Sequence, residues 1–234
     1  MSNVIVETKQ VTRVFASGDV EVNALRGVDL RVELGEFVAV AGPSGSGKTT
    51  LFNLIGGLDT PTGGEVLIGG AALSGMKRKE LSRLRLDKIG FVFQAYNLIP
   101  VLTSYENVEY PLILKGIGAA ERKRKVEELL SAVGLQEMMH RRPMQMSGGQ
   151  QQRVAIARSL VCDPVVVLAD EPTANVDSET GAALLELMRK LNVEKQTTFL
   201  FSTHDPMVMK AARRLIRLKD GAIESDVRQD GEIS

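Results

Sequence analysis

Short apolar runs alternate along this chain with stretches in which apolar residues return at the spacing of one helix face, the pattern of an α/β domain built on a largely parallel sheet. The runs predict strands at Val4 to Val11, Val28 to Val32, Phe37 to Ala41, Glu65 to Ile68, Ile89 to Phe93, Val165 to Ala169, Thr198 to Ser202, Leu215 to Leu218 and Ala222 to Ser225. The first few, and Glu65 to Ile68, are separated by short turns and read as antiparallel. Val165-Val166-Val167-Leu168-Ala169 has no polar position, so it reads as a strand covered on both faces. Helices are expected to begin at Thr49, Lys77, Ser104, Ala120, Gly149, Glu179 and Pro206. Val126, Leu129, Leu130 and Val133 share one helix face, as do Leu184, Leu187, Met188 and Leu191. From about Ala95 to Cys162 the pattern is helical throughout. The chain therefore reads as one domain over 1–234, with a sheet core of 1–94 and 164–234 and a helical sub-domain of about 95–163 inserted into it.

Composition narrows the function classes. Hydrophobic residues at 44% and charged residues at 25% of 234 exclude a disordered or collagen-like chain. Lys+Arg and Asp+Glu are both 29, without the basic excess of a dedicated nucleic-acid binder, and no nucleic-acid partner is expected. Aromatics at 4%, with no tryptophan, supply few stacking platforms for single strands. The clusters Lys77-Arg78-Lys79 and Arg122-Lys123-Arg124-Lys125 have acids beside them, Glu80 in the first case and Glu121, Glu127 and Glu128 in the second, and read as solvated helix faces. The single cysteine, Cys162, excludes an internal disulfide and reads as a small buried hydrophobe in a reducing cytoplasm. No apolar run is long enough to span a bilayer, and Met1 to Gln10 carries Glu7 and Lys9 in place of a signal sequence's apolar core.

The strongest chemical signal is Gly42-Pro43-Ser44-Gly45-Ser46-Gly47-Lys48-Thr49, set between a strand and a helix. This is the pattern of a phosphate-binding loop, in which glycines let backbone N–H groups converge on an anion at a helix N-terminus. Lys48 is placed to neutralise β- and γ-phosphates, and the Thr49 hydroxyl to meet Mg²⁺. A second element is the apolar strand ending in Asp170-Glu171. Asp170 falls at the strand end where α/β sheets bind ligands and can hold Mg²⁺ through its water shell, while Glu171 can orient or deprotonate an attacking water. A third is Met146-Ser147-Gly148-Gly149-Gln150-Gln151-Gln152-Arg153, where Ser147 caps a helix whose apolar face includes Val154, Ala157, Leu160 and Val161. One nucleotide seldom needs two anion-binding helix termini, so a dimer in which each chain supplies one becomes attractive.

These elements, together with Gln94 in Phe91-Val92-Phe93-Gln94 and with Ser202-Thr203-His204-Asp205, resemble the ATP-binding subunit of an ATP-binding cassette (ABC) transporter over essentially the whole chain. Gly56-Gly57-Leu58-Asp59, Asn97-Leu98-Ile99-Pro100 and Glu106-Asn107-Val108 are similar to the lipoprotein-releasing (LolD-type), macrolide-exporting (MacB-type) and cell-division (FtsE-type) group. The resemblance implies a P-loop NTPase fold: a mixed-sheet α/β core, an antiparallel β sub-domain and an inserted helical sub-domain. It implies ATP and Mg²⁺ as cofactors and a head-to-tail homodimer that sandwiches two ATP molecules. Gly42 to Thr50, with Lys48, would cradle the phosphates; Thr49, Gln94 and Asp170 would serve the metal. Glu171 would be the general base, His204 would contact the γ-phosphate, and Phe15 would stack on adenine. Ser147, Gly148, Gly149 and Gln150 of the opposite chain would close over the phosphate, and Asp177 would reach across the interface. Met146 and Phe15 stand where Leu and Tyr are usual in the family, neither a change that endangers hydrolysis, and Val176 stands where Leu is usual beside Asp177, with only a modest effect expected on the interface.

The function implied is an ATPase that energises a separate membrane permease from the cytoplasmic face of the inner membrane, for lipoprotein release or for macrolide, drug or peptide export. An envelope or cell-division regulator of the FtsE type is the alternative. A soluble ABC ATPase acting on DNA or ribosomes fits less well. About 100 residues separate the phosphate loop from Ser147, too few for a long coiled-coil insertion, and there is one such cassette in the chain.

Overall fold

The computed structural model describes residues 3–17 and 20–229; Met1 and Ser2, read above as part of a segment without a signal sequence, lie outside the described residues. The chain opens with β1 (Val4–Ser17), β2 (Val20–Glu33), β3 (Phe37–Ala41) and α1 (Lys48–Ile55). It continues through β4 (Gly63–Ile68), β5 (Ala71–Ala72), α2 (Arg78–Lys88) and β6 (Ile89–Val92). Three helices follow, α3 (Ser104–Leu114), α4 (Ala119–Ala132) and α5 (Gly148–Leu160), before β7 (Val166–Asp170). The remainder is α6 (Ser178–Lys195), β8 (Thr198–Thr203), α7 (Pro206–Ala211), β9 (Arg214–Lys219) and β10 (Ala222–Arg228). Every expected helix forms, each beginning within one residue of its expected start.

The strands form two sheets. One is antiparallel, in the order β2-β1-β4-β5; the other has six strands in the order β10-β9-β3-β8-β7-β6, parallel throughout except for β10. The first hairpin differs from expectation, since β1 runs on past Val11 and β2 starts well before Val28. Register shifts between Thr8 and Val11, at Val11/Thr12 and between Arg13 and Val14 change the phase of the side-chain alternation while the backbones stay paired. The short β5 carries no apolar signal of its own and exists only as the partner of Leu67 and Ile68.

The position of β3 is a correction. The short turn after β2 made it read with the antiparallel group, yet it pairs in parallel with β8 and β9. All five of its residues are buried, and a strand that is apolar on both faces needs cover on both. The centre of the six-stranded sheet supplies it. Phe37, Ala39, Val167, Ala169, Phe199 and Phe201 face a core shared with α3 to α7. Val38, Val40, Val166, Leu168 and Leu200 face a second core closed by α1 and the antiparallel sheet.

Helix α5 is buried more widely than its expected single apolar face, because Val154, Ala155, Ile156 and Ala157 are all fully buried in succession. It packs against β6 closely enough that Gly90 of the strand lies under the Ser159 carbonyl, where a Cβ would come within 2.3 Å. The basic run in α4 is paired, Arg122 with Glu109 at 2.8 Å, Arg124 with Glu128 at 3.2 Å, and Lys125 with Asp163. Among the described residues no helix is long and apolar enough to cross a membrane.

Candidate active site

Because β3, β8, β7 and β6 lie side by side and parallel, their C-terminal ends come to one edge. Ala41 is level with Thr203, Ser202 with Asp170, and Ala169 with Val92. The phosphate loop, His204, Asp170-Glu171 and Gln94, far apart in sequence, therefore leave the sheet along one line, where open α/β sheets bind ligands.

The phosphate loop is shaped by contact and conformation. Gly45 and Gly47 have φ of 80° and 103°, the left-handed region that glycine adopts without strain. Gly47 is also the N-cap of α1, with no side chain of its own to cap the helix. The first N–H groups of α1 are therefore left for an anion, with the helix dipole behind them. Lys48 is buried, and its Nζ donates to the carbonyls of Gly42 at 2.7 Å and Pro43 at 3.0 Å, which sets the cation across the mouth of the loop. The Ser46 hydroxyl is buried without a partner, a polar atom in need of one. Pro43, Ser44, Gly45 and Thr49 are exposed and Thr50 is half-buried.

Asp170 ends β7 half-buried. Burial pushes its carboxyl above the usual range; the Ser202 hydroxyl opposes this, the adjacent Glu171 charge adds to it, and Lys48 opposes it. Glu171 follows with φ of 46°, a left-handed conformation that costs a non-glycine residue about 1–2 kcal/mol. Its N–H donates to Ser202 O at 2.9 Å, which holds that conformation against β8 and turns the side chain away from Asp170. One Glu171 oxygen accepts from the Thr203 hydroxyl at 3.2 Å, and the other lies 2.6 Å from Nδ1 of His204. With Nδ1 engaged by the carboxylate, Nε2 of this exposed ring is the nitrogen left for a ligand.

Gln94 is exposed, and its loop is held from three sides. Asn175 Nδ2 donates to the Gln94 carbonyl at 2.9 Å, and the Tyr96 hydroxyl donates back to the Asn175 carbonyl at 3.2 Å. The Arg158 guanidinium on α5 donates to the carbonyls of Tyr96 at 2.8 Å and Asn97 at 2.5 Å, both residues in left-handed conformations. The Ser147 hydroxyl accepts from Gln150 N, and Gln150 Oε1 accepts in return from Ser147 N at 3.0 Å, a capping box at the start of α5. A Cβ at Gly148 would fall 2.7 Å from the Tyr96 hydroxyl and one at Gly149 2.5 Å from Thr180 Cγ2, side-chain atoms that would have to shift. Asp177 caps α6; hydrogen bonds from the Thr180 N–H and hydroxyl hold its carboxyl below the usual range. Ser147 to Gln150 thus sit beside the loops after β6 and β7. The phosphate loop leaves β3, three strand positions from β6, or about 14 Å at the usual strand spacing.

Phe15 stands near the tip of the first hairpin with its ring partly exposed. The Arg13 guanidinium lies 4.5 Å over that ring and forks onto Asp59, with Nε and Nη2 at 2.9 and 3.0 Å from the two carboxylate oxygens. Sequence reasoning gave no role to Arg13, Asp59, Tyr96, Arg158, Asn175 or Thr203. A signal existed for Arg13, which alternates with Phe15 on one strand face. None existed for Arg158 or Tyr96, whose roles depend on contacts across the fold.

A groove of about 730 Å³ opens beside the Gln94 loop, between α2, β6, α3 and α5. Leu58, Leu86, Phe91, Phe93, Pro111 and Leu114 make it apolar, and Arg83 and Arg158 flank it. Cys162, expected as a buried hydrophobe, is half-buried on this groove, and burial raises its thiol pKa.

Residues 25–174 match the protein family described as ABC transporter. An uncharacterized ABC transporter ATP-binding protein of Thermotoga maritima is 51% identical over 96% of both chains. The macrolide export ATP-binding/permease protein MacB of Marinobacter nauticus is 47% identical over 95% of this chain, which spans about a third (34%) of that protein. Among solved structures, the ATP-binding cassette MJ0796, a dimer in a post-hydrolysis state bound to ADP and Pi, superposes with a TM-score of 0.89. That match is 45% identical and covers 97% of this chain and 100% of the other.

Proposed function

The chain belongs to the ABC transporter family of ATP-binding domains, and from that membership and the geometry of the site we propose that it hydrolyses ATP to drive a membrane permease. The observation that carries the reading is the single sheet edge on which the phosphate loop, Lys48, Asp170, Glu171 and His204 converge. Gly42 to Thr50 cradle the triphosphate through loop amides and the α1 N-terminus, with Lys48 turning from loop carbonyls to phosphate oxygens. The Thr49 hydroxyl, the Gln94 amide oxygen and the Asp170 carboxylate are hard oxygen donors, a set that suits Mg²⁺, which when bound supplies positive charge against the phosphate oxygens.

Hydrolysis requires positioning and charge more than covalent help. Glu171 accepts a proton from water as the water oxygen bonds to the γ-phosphorus. The bond from that phosphorus to the β–γ bridging oxygen breaks, and ADP leaves with its electron pair. His204, anchored through Nδ1, presents Nε2 to the γ-phosphate. Lys48 balances the charge that develops.

The second half of each site comes from another copy of the chain. The Ser147 to Gln150 terminus is a second helix start of the kind that binds anions, set beside the loops after β6 and β7 and not on the phosphate loop that leaves β3, which supports a head-to-tail homodimer with two ATP molecules between the copies. Asp177 and its loop, tied to Gln94 through Asn175, stand at that interface. The apolar groove beside Gln94 suits a segment of an integral permease separate from this chain, which supports a peripheral position for the ATPase on the cytoplasmic face of the membrane. The substrate class proposed is that of a lipoprotein or macrolide exporter, after the MacB relatives.

Glu171→Gln should retain ATP and trap a dimer, seen by light scattering as a doubling of mass when ATP is added. A monomer at saturating ATP refutes the sandwich. Lys48→Ala should abolish ATP binding by calorimetry, and unchanged affinity removes the phosphate-loop assignment.

A further inference from the structure

We infer that Arg13, locked by Asp59, is a positioning residue for the nucleobase: it fixes the Phe15 ring and holds it in register with the phosphate loop. The inference rests on the reading of Phe15 as the surface on which adenine stacks.

A nucleotide is held at two ends, and in this fold the two ends belong to different sheets. Phe15 rises from the β1–β2 hairpin of the antiparallel sheet, while the phosphate loop grows out of β3 in the six-stranded sheet. Phe15 is 41% exposed, and Val22 opposite it on β2 is 53% exposed, so packing alone does little to hold the ring. Arg13 sits two residues earlier on the same strand, and the contact of its guanidinium with the ring shows that the two side chains share a face. Its guanidinium, 4.5 Å from the ring centroid, is within cation–π range and covers one face of Phe15. A base must then stack on the other face.

The same guanidinium is tied through Asp59 to the C-terminal end of α1, the helix that starts in the phosphate loop. Its bidentate fork on Asp59 is the geometry that most restricts an Arg–carboxylate pair, and both side chains are largely sheltered, at 24% and 29% exposure. Asp59 belongs to the turn that ends α1, where the N–H groups of Leu58 and Asp59 both donate to Asn53 O. Its Oδ1 also accepts from Thr60 N at 2.7 Å, which fixes the carboxylate within the turn. Helix α1 starts at Lys48 in the phosphate loop. Phe15, Arg13, Asp59, α1 and the phosphate loop form one continuous train of contacts between the two ends of the ligand. This gives Asp59 of the Gly56-Gly57-Leu58-Asp59 motif a physical task.

The test compares the affinities of ATP and inorganic tripolyphosphate, which has the phosphates and no base, by calorimetry in one magnesium-containing buffer. Arg13→Gln keeps a stem and a planar amide and removes the charge. It should weaken ATP about 3- to 10-fold, the range of one cation–π contact, and tripolyphosphate less than about twofold. Arg13→Lys, which keeps charge and loses the fork, should fall between Arg13→Gln and the native chain. Phe15→Ala is the reference and should also weaken ATP selectively. If Phe15→Ala is selective and Arg13→Gln leaves ATP affinity intact, the inference fails and the stacking surface stands. If Arg13→Gln weakens both ligands equally, Arg13 serves the fold alone and the inference fails. If Phe15→Ala changes neither affinity, the stacking reading fails and the inference with it.

Discussion

Three glycines of the phosphate loop separate two costs that usually arrive together. At Gly45 φ is 80° and an added Cβ meets nothing within 4 Å, so Gly45→Ala tests conformation alone. The left-handed backbone costs alanine about 1–2 kcal/mol, offset by about 0.4–1 kcal/mol from the stiffer unfolded chain, a net loss of about 0.5–1 kcal/mol. At Gly42 the backbone lies outside the left-handed region, but a Cβ would fall 2.1 Å from Leu218 O and 2.7 Å from Ser46 Oγ. Leu218 is a backbone neighbour in β9, paired with Ile223 of β10, and cannot swing aside as a side-chain end does. Overpacking against it costs up to about 3 kcal/mol. Gly47 combines φ of 103° with a Cβ 2.5 Å from Ala24 O, so Gly47→Ala should lose about 3–4 kcal/mol. In a domain of this size, thermal unfolding without nucleotide should show drops of about 1–4 °C for Gly45→Ala, about 2–12 °C for Gly42→Ala and about 6–16 °C for Gly47→Ala. Equal losses at Gly45 and Gly47, or a Gly42→Ala protein as stable as the native chain, refutes the contact argument.

Two further outcomes follow from hydrogen bonds of the structure. Asn175→Ala removes the donor to the Gln94 carbonyl, worth about 0.5–1.5 kcal/mol, so the amides of Tyr96 and Asn97 should exchange hydrogen about 2- to 10-fold faster by mass spectrometry, while amides of β3 do not change. Arg214 forks onto Asp226 and also reaches Glu36; Arg214→Ala takes the fork from Asp226 and leaves Glu36 with the Glu33 N–H and the longer Arg228 contact, and should cost about 1–2 kcal/mol, or about 2–8 °C in thermal unfolding. Arg214→Lys should recover only part of that, because an ammonium cannot reproduce the fork.

Local structure was legible in the sequence wherever it depends on near neighbours along the chain. The Gly-Lys-Thr loop needs particular φ values and a following helix, Ser147 and Asp177 need the N–H groups three residues on, and an all-apolar run must be buried on both faces; each requirement is written locally. Tertiary structure alone decided which elements meet. It moved β3 out of the antiparallel sheet, since local turns do not record which strand lies beside which. It carried β1 and β2 past their apolar runs, since backbone pairing persists through register shifts that break the alternation. It also set His204 against Glu171, Asn175 against Gln94 and Arg13 between Phe15 and Asp59. Glu171–His204, Gln94–Asn175 and Arg13–Asp59 join residues tens of positions apart; the first two exist only once the parallel strands have lined up their ends, the third only once the antiparallel sheet meets the turn after α1.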